Sequence, residues 1–472
     1  MQRVLKNKII QLVLAGLILG LSVQSSPVTI YGTAIQFAGD SLVFYIQSNP
    51  IIQIKTPVGT CFFDEMGRFE MEINLDQIQP VYAEDGKNKY ILFAEPGAAY
   101  EVVFPPRSQT SLEDVLNPYF QPQQIHLGIK NTYKNELNAL VQEFDMVFNP
   151  YFNMYARQVY ANKKLEDVDA FKLRIDSLFG SVDHAYFNNY QKFRLVLLDY
   201  MRFSGESKTY AYQRFPYEFM TLNNPAAVEL FGQVFSRIMY HIMASDSCHL
   251  QQDPFTDING LATLQSCVHK STLIRDSKFI DLAILKGIYD EFSFTHFDRN
   301  KLIQIMQMLI DQTKFQDIKA FAMDLHTEIT RLDPGQPAPY FQLMNGNGKS
   351  RILDDYKGRY LYLGFVSTQS YACMMQFPIL AELKKSFQKE LDIVTIAVEE
   401  SYQDLADVLE YKAYPWEFLY FDDQFELLLQ YKVRAYPTYY LIDPHGRLLW
   451  SPSVSPIDGF ETKFLELIDR ER

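Results

Sequence analysis

The sequence predicts a multidomain chain of α+β and α/β class: a small β-sandwich or barrel, an all-helical stretch, then a domain of mixed strands and helices. Three observations predict it. Apolar residues alternate at period two in "RFEMEI", 68–73. They recur at helical spacing through Leu137, Leu140, Val141, Phe144, Val147 and Phe148. The stretch "RLDPGQPAPYF", 331–341, then breaks both periodicities with three prolines and a glycine, and buried runs such as "YLYLGFV" follow it. The expected divisions are 1–25, 26–106, 107–330 and 331–472.

At about 150 residues per domain, 472 residues suit about three domains, and a 47% hydrophobic content suffices for several cores. The net charge of −13, without clustered Lys and Arg, excludes a nucleic-acid partner, because neutralising phosphates needs such clusters. No long block of one charge implies a tail.

The first segment reads as a signal peptide. Arg3, Lys6 and Lys8 precede a short apolar core, Ile9 to Leu21, and "SVQSS" supplies the small residues of a cut at about Ser26. An uncleaved anchor is the alternative, although the core falls short of the ~20 residues of a bilayer span. No cysteine follows the core, so a lipid anchor is not expected. The expected location is the periplasm or cell envelope, with the membrane met only through that segment.

From 28 to 104 the chain reads as strands. "DEMG", 64–67, has hairpin-turn chemistry between "CFF" and "RFEMEI"; "YILFA" and "YEVVF" are further strands, and Pro105–Pro106 closes the block. Cys61 falls at a core position. In the helical stretch, Asn224 and Pro225 open a helix over "AAVELFGQVFSRIMYHIM". Cys248 and Cys267, each with a histidine nearby, are readable as a disulfide, as two buried thiols or as metal ligands; their spacing fits no standard zinc pattern. The aromatic and Met stripes read as core.

After the linker, "PYFQLM", "NGNG" and "SRIL" form a hairpin. "YLYLGFV" and "LDIVTIAV" are buried strands, each followed by a helix, "MMQFPILAELKKSFQKE" and "YQDLADVLEYK". A helix over "DDQFELLLQYKV", a hairpin of "TYYLID" and "RLLWS", and the helix "FETKFLELIDR" complete the order. "GNGKS" lacks the spacer of a phosphate loop, and no dinucleotide fingerprint or HExxH occurs, so no cofactor or metal is expected.

This order and these residues resemble the thioredoxin fold of the TlpA/ResA-like exported thiol-disulfide oxidoreductases. "PGQPAPYFQL" resembles the usual start of that domain, "NGNGKSRILDDYKGRYLYLGFV" its first hairpin and central strand, and "VRAYPTYYLIDPHGRLL" its closing half, with Pro437 at the position of the cis-proline. The β block also resembles the small domain of unknown function that often precedes such modules. The family's chemistry implies two cysteines, two residues apart, at a helix start. Here the pair falls on Ser370 and Cys373, so the attacking position holds oxygen. Gln369 stands for the usual Trp, Ala372 for the usual Pro, and Gln376 for the acid of many members. An amide neither carries a proton nor tunes a thiol by charge.

Ser370 also reads simply as an N-cap whose oxygen takes a helical N–H, with Cys373 half-buried in the first turn. Tyr436, Pro437, Thr438 and Gln369 are the expected binding residues, because the segment before such a proline can pair with an extended peptide. Three readings stand: a redox-inactive exported protein binding a peptide or protein partner in the envelope, an atypical single-cysteine oxidoreductase or peroxide reductase using Cys373, and an architectural envelope protein.

Overall fold

The computed structural model describes residues 26–471 apart from 108–110, 112–113, 115–116, 118, 162–166, 203–207, 245–259, 293, 295, 400 and 412. The expected signal segment and Cys248 lie outside the described residues. The chain forms two compact units. One runs to Glu84 and adds Tyr90–Pro106 and Gln124–Glu291; the other holds Asp85–Lys89, Arg107–Gln123 and the chain from Phe292 onward.

Nine strands build the sheets of the first unit: β1 (Ser26–Thr33), β2 (Ser41–Gln47), β3 (Lys55–Phe62), β4 (Arg68–Leu75), β5 (Gln79–Glu84), β6 (Asn88–Ala94), β7 (Ala99–Val103), β8 (Gln123–His126) and β9 (Gly128–Ile129). They form a four-stranded sheet, order β4-β1-β7-β9, and a five-stranded one, order β3-β2-β5-β6-β8. One apolar core, with Val28, Phe44, Ile73 and Leu92, draws on both, so the architecture is a sandwich. In β4, Phe69, Met71, Ile73 and Leu75 are buried and Arg68, Glu70 and Glu72 exposed, as the alternation predicts.

Two strand expectations need correction. The 64–67 turn exists: the Asp64 carboxylate accepts from the Met66 and Arg68 N–H groups at 2.9 and 2.8 Å. Yet its arms do not pair as a hairpin. β3 is laddered along its length to β2, and β4 to β1, so the turn carries the chain from one sheet to the other. Cys61 and Phe63 meet Phe69 and Met71 inside the core instead. Pro105–Pro106 also does not end the strands, since β8 and β9 add to the edges of the two sheets.

The helices of this unit bury the expected stripes. In Leu137–Tyr160, Leu137, Leu140, Val141, Phe144 and Phe148 are buried. Asn224 caps Pro225–Val234 by accepting from the Ala226 and Ala227 N–H groups. The helix expected to run to Met243 breaks, however, and restarts at Ile238–Met243. Arg237, at φ +54°, makes the break; its N–H donates to Asp290 at 2.8 Å and its guanidinium to Glu291 at 2.9 Å. Cys267, in Gly260–Thr272, is disulfide-bonded.

The second unit contains the helices Arg299–Gln312 and Gln316–Thr330 and the hairpin β10 (Gln342–Met344) and β11 (Ser350–Ile352). Its main sheet comprises β12 (Tyr360–Val366), β13 (Leu391–Ala397), β14 (Glu417–Tyr420), β15 (Thr438–Ile442) and β16 (Leu448–Ser453), in the order β14-β13-β12-β15-β16. β12, β13 and β14 run parallel; β15 and β16 are antiparallel. This is a thioredoxin-like sheet. β14 was missing from the expected order, because four residues beside aromatic "YPW" carry too short a pattern. Every residue of β12 is buried, with Leu361, Leu363 and Phe365 in the core of one face and Tyr360, Tyr362 and Val366 in that of the other. A strand covered on both faces is apolar throughout. Helices Phe377–Ser386 and Phe460–Glu471 cover the second face. Among the described residues no helix is long and apolar enough to cross a membrane.

Candidate functional site

The parallel pairing of β12 and β13, in register from Tyr360↔Leu391 to Val366↔Ala397, brings their C-terminal ends together. The ends of parallel strands, where loops leave the sheet, are where α/β folds place ligand sites. Ser367 to Ser370 leave β12 there, and the short helix Tyr371–Met374 begins. A turn at Met375 and Gln376 separates it from Phe377–Ser386, so the expected single helix is two.

Cys373 is fully buried rather than half-buried, and its thiol is free. Burial pushes its pKa up. The neighbouring Ser370 hydroxyl and Ser367 backbone pull it back, and the Glu399 carboxylate pushes it up again. Ser370 stands at the N-cap, but its side chain makes no capping bond. The carbonyl oxygen of Ser370 takes the Cys373 and Met374 N–H groups, both at 3.0 Å. The capping role expected of that side chain is therefore not the one observed.

The other expected residues fall as follows. Gln369 is exposed, while Tyr436, Pro437 and Thr438 are partly exposed. The Tyr436–Pro437 bond is cis. Thr438 is occupied locally, donating its hydroxyl to the Ala435 carbonyl at 2.6 Å. The Tyr436 ring packs against the cores of both sheet faces, and burial, with the Cys373 charge second, raises its pKa. Tyr439 lies in the same field and is raised for the same two reasons. It stacks on Tyr362 at 4.9 Å and sits opposite Gly364, where a Cβ would lie 2.7 Å from the ring. Ser370, Cys373, Gln376 and Tyr436 thus gather in one place. Cys267 lies in the other unit, and its expected partner, Cys248, outside the described residues.

Sequence reasoning missed Glu399. It lies two residues past the end of β13 and is 0% exposed. Its Oε1 accepts from the Thr368 N–H at 2.6 Å, and burial raises its pKa. An acid after an apolar strand run normally marks the strand's exit into water, so "IAVEE" gave no local sign of burial.

Exposed apolar groups border the site: Tyr371 is 78% and Met375 50% exposed. A separate cleft of about 600 Å³ lies beside β14, lined by Arg351, Lys384, Asp392, Trp416 and Glu417. Its charges are paired internally, Arg351 with Glu417 at 2.8 Å and Lys384 with Asp392 at 3.0 Å. Among the described residues no group of three or more His, Cys, Asp or Glu is placed to hold a metal ion.

Residues 334–451 match the AhpC/TSA family. The thiol-disulfide oxidoreductase ResA of Bacillus subtilis is 32% identical over 120 residues, covering 25% of this chain and 66% of that protein. ResA of Bacillus thuringiensis is 30% identical over 138 residues, covering 29% of this chain and 76% of that protein. The chain therefore spans just under two thirds of the first relative and about three quarters of the second. Among solved structures, the thioredoxin domain of a thiol-disulfide oxidoreductase from Bacteroides vulgatus is similar at 23% identity over 28% of this chain and 96% of that one, with a TM-score of 0.27. Through this C-terminal part, the chain belongs to the ResA-like thiol-disulfide oxidoreductase family.

Proposed function

We propose that this is an exported, thioredoxin-like protein of the cell envelope that binds an extended peptide segment of a partner and does not exchange disulfides. The observation that carries the reading is the state of position 370. Position 370 holds a hydroxyl where exchange needs a thiolate to begin the attack. Cys373 is a poor substitute, because it is inaccessible and its own environment favours the thiol. Binding is supported by the apolar rim of Tyr371 and Met375 at the helix start. Solvent-exposed aromatic and Met side chains are the groups that peptide surfaces use for contact. Export rests on the basic and apolar pattern of the first 25 residues.

Insulin reduction and the rate of Cys373 alkylation test the first half of the reading. Turnover at the level of Cys373→Ala, with labelling slow until the chain is unfolded, is the expected result. Turnover that Cys373→Ala abolishes would establish the single-cysteine enzyme instead. Crosslinking of a panel of extended apolar peptides from position 371 tests the second half. Capture lost in Met375→Asp supports binding, and no capture by any peptide leaves an architectural role.

A further inference from the structure

Within the second unit, the segment Arg107–Gln123 lays two adjacent aromatic side chains on the thioredoxin-like domain. Asn117 builds the turn that presents them. Its carbonyl oxygen accepts from the Phe120 N–H and its side-chain oxygen from the Tyr119 N–H, both at 2.9 Å. The Phe120 ring meets Phe425 with centroids 4.8 Å apart and planes tilted by 35°. The guanidinium carbon of Arg434 stands 5.2 Å from the centre of the Tyr119 ring. Both separations are those at which ring pairs and cation–π pairs attract. Among the described residues Arg434 has no carboxylate at ion-pairing distance, so the ring is what this cation meets.

Phe425 and Arg434 belong to the approach to the cis bond. Phe425 begins the helix Phe425–Gln430, and Arg434 lies three residues before Pro437. Phe425 and Tyr436 pack against the same core cluster. Tyr119 stays 59% exposed, so the segment rests on the domain and can leave it without opening a core. In the sequence, Pro118 and Pro122 flank the aromatic pair, and such restriction lowers the ordering cost of docking.

We propose that Phe425 and Arg434 form a subsite for two adjacent aromatic residues of a bound peptide, which the chain's own Tyr119 and Phe120 fill until a partner displaces them. The inference rests on the peptide-binding reading above and adds the partner's class: a segment carrying an aromatic pair. Arg434 favours a ring over an aliphatic side chain, because only the ring offers a negative face to a cation. The tether presents Tyr119 and Phe120 at an effective concentration on the order of millimolar, which a partner has to exceed.

The test compares the full chain with its Tyr119→Ser, Phe120→Ser double variant. Hydroxyl-radical labelling of Phe425 reads occupancy without any partner. A roughly twofold rise in the variant is expected once the covering ring is gone, and an unchanged rate overturns the proposal. A synthetic peptide, Asn-Pro-Tyr-Phe-Gln-Pro with an N-terminal photo-crosslinker, reads the subsite at millimolar concentration. It should label residues 425–437 of the variant roughly tenfold more than those of wild type, where the tethered pair competes. The same peptide with two serines for its rings should label neither. Equal labelling of both proteins, or none of the variant, overturns the subsite. Arg434→Gln in the variant should lower labelling roughly threefold, the loss of one cation–π contact, and unchanged labelling removes Arg434 from the site. Peptide capture from position 371 that ignores the double substitution would keep the binding reading and overturn this inference alone. Labelling at 425–437 without capture from position 371 would support the subsite and refute the Tyr371 and Met375 rim.

Discussion

Cys61 and Cys373 are both 0% exposed, both free and both packed in apolar clusters, yet the influences on them differ. Cys61 lies in the sandwich core among Phe63, Phe69 and Met71, and burial alone pushes its pKa up to about 12. At Cys373 burial raises the pKa first, Ser370 and Ser367 lower it and the Glu399 charge raises it, so its pKa is a balance of opposed influences. Equal burial therefore does not mean equal chemistry. The first sulfur is a small hydrophobe. The second also packs in an apolar cluster, with Phe377 and Leu380, but polar and charged groups act on it as well.

The largest expected change comes from restoring the missing atom. Ser370→Cys supplies a second thiol at the helix start and should raise insulin reduction roughly tenfold or more over Cys373→Ala, because a thiol ionises near neutral pH and a hydroxyl does not. No gain would mean that the enclosing groups, and not position 370, silence the site. Paired serine substitutions sharpen the contrast directly. Cys61→Ser puts a hydroxyl among apolar groups and should cost about 1–3 kcal/mol in denaturant unfolding, the penalty of an unpaired buried polar group. Cys373→Ser lies beside the polar influence of Ser370 and should cost less, within about 1 kcal/mol. Equal losses would erase the distinction. Gly364→Ala tests the wall of the site: its Cβ would lie 2.7 Å from the Tyr439 ring, and displacing that ring should cost about 1–3 kcal/mol by the same measurement.

The smallest expected effect is a pH dependence. The pKa of Glu399 is raised in the folded chain by burial. The unfolded chain therefore ionises this group at lower pH than the folded one, and native stability is given up as pH rises from the ordinary carboxylate range toward the folded pKa. Glu399→Gln lacks that loss. Its melting temperature should match wild type in acid and exceed it near neutral pH. A difference of the same size at both pH values would show that the carboxyl stays ionised in the folded state.

Much of the fold was legible because its signals are local. β4 announces its buried face by alternation and β12 by being apolar throughout. Asn224 and Pro225 mark a helix start within two residues. The pairing of β3 and β4 was not legible. The turn between them has hairpin chemistry, and only the longer ladders with β2 and β1 decide that the arms belong to different sheets. The break at Arg237 is similar, since the carboxylates that hold it lie more than 50 residues away.

By itself the sequence determined the periodicities, the spacing of Ser370 and Cys373 and the oxygen at the first of them, because each is a property of neighbouring residues. Only the tertiary structure decided that the Ser370 side chain makes no capping bond, that Cys373 is sealed from solvent, and that Glu399 is buried. Those outcomes depend on groups such as Thr368 and Glu399, 31 residues apart, meeting at the ends of two parallel strands. No local pattern encodes such a meeting, because the free energy that enforces it is spread over the whole packed sheet.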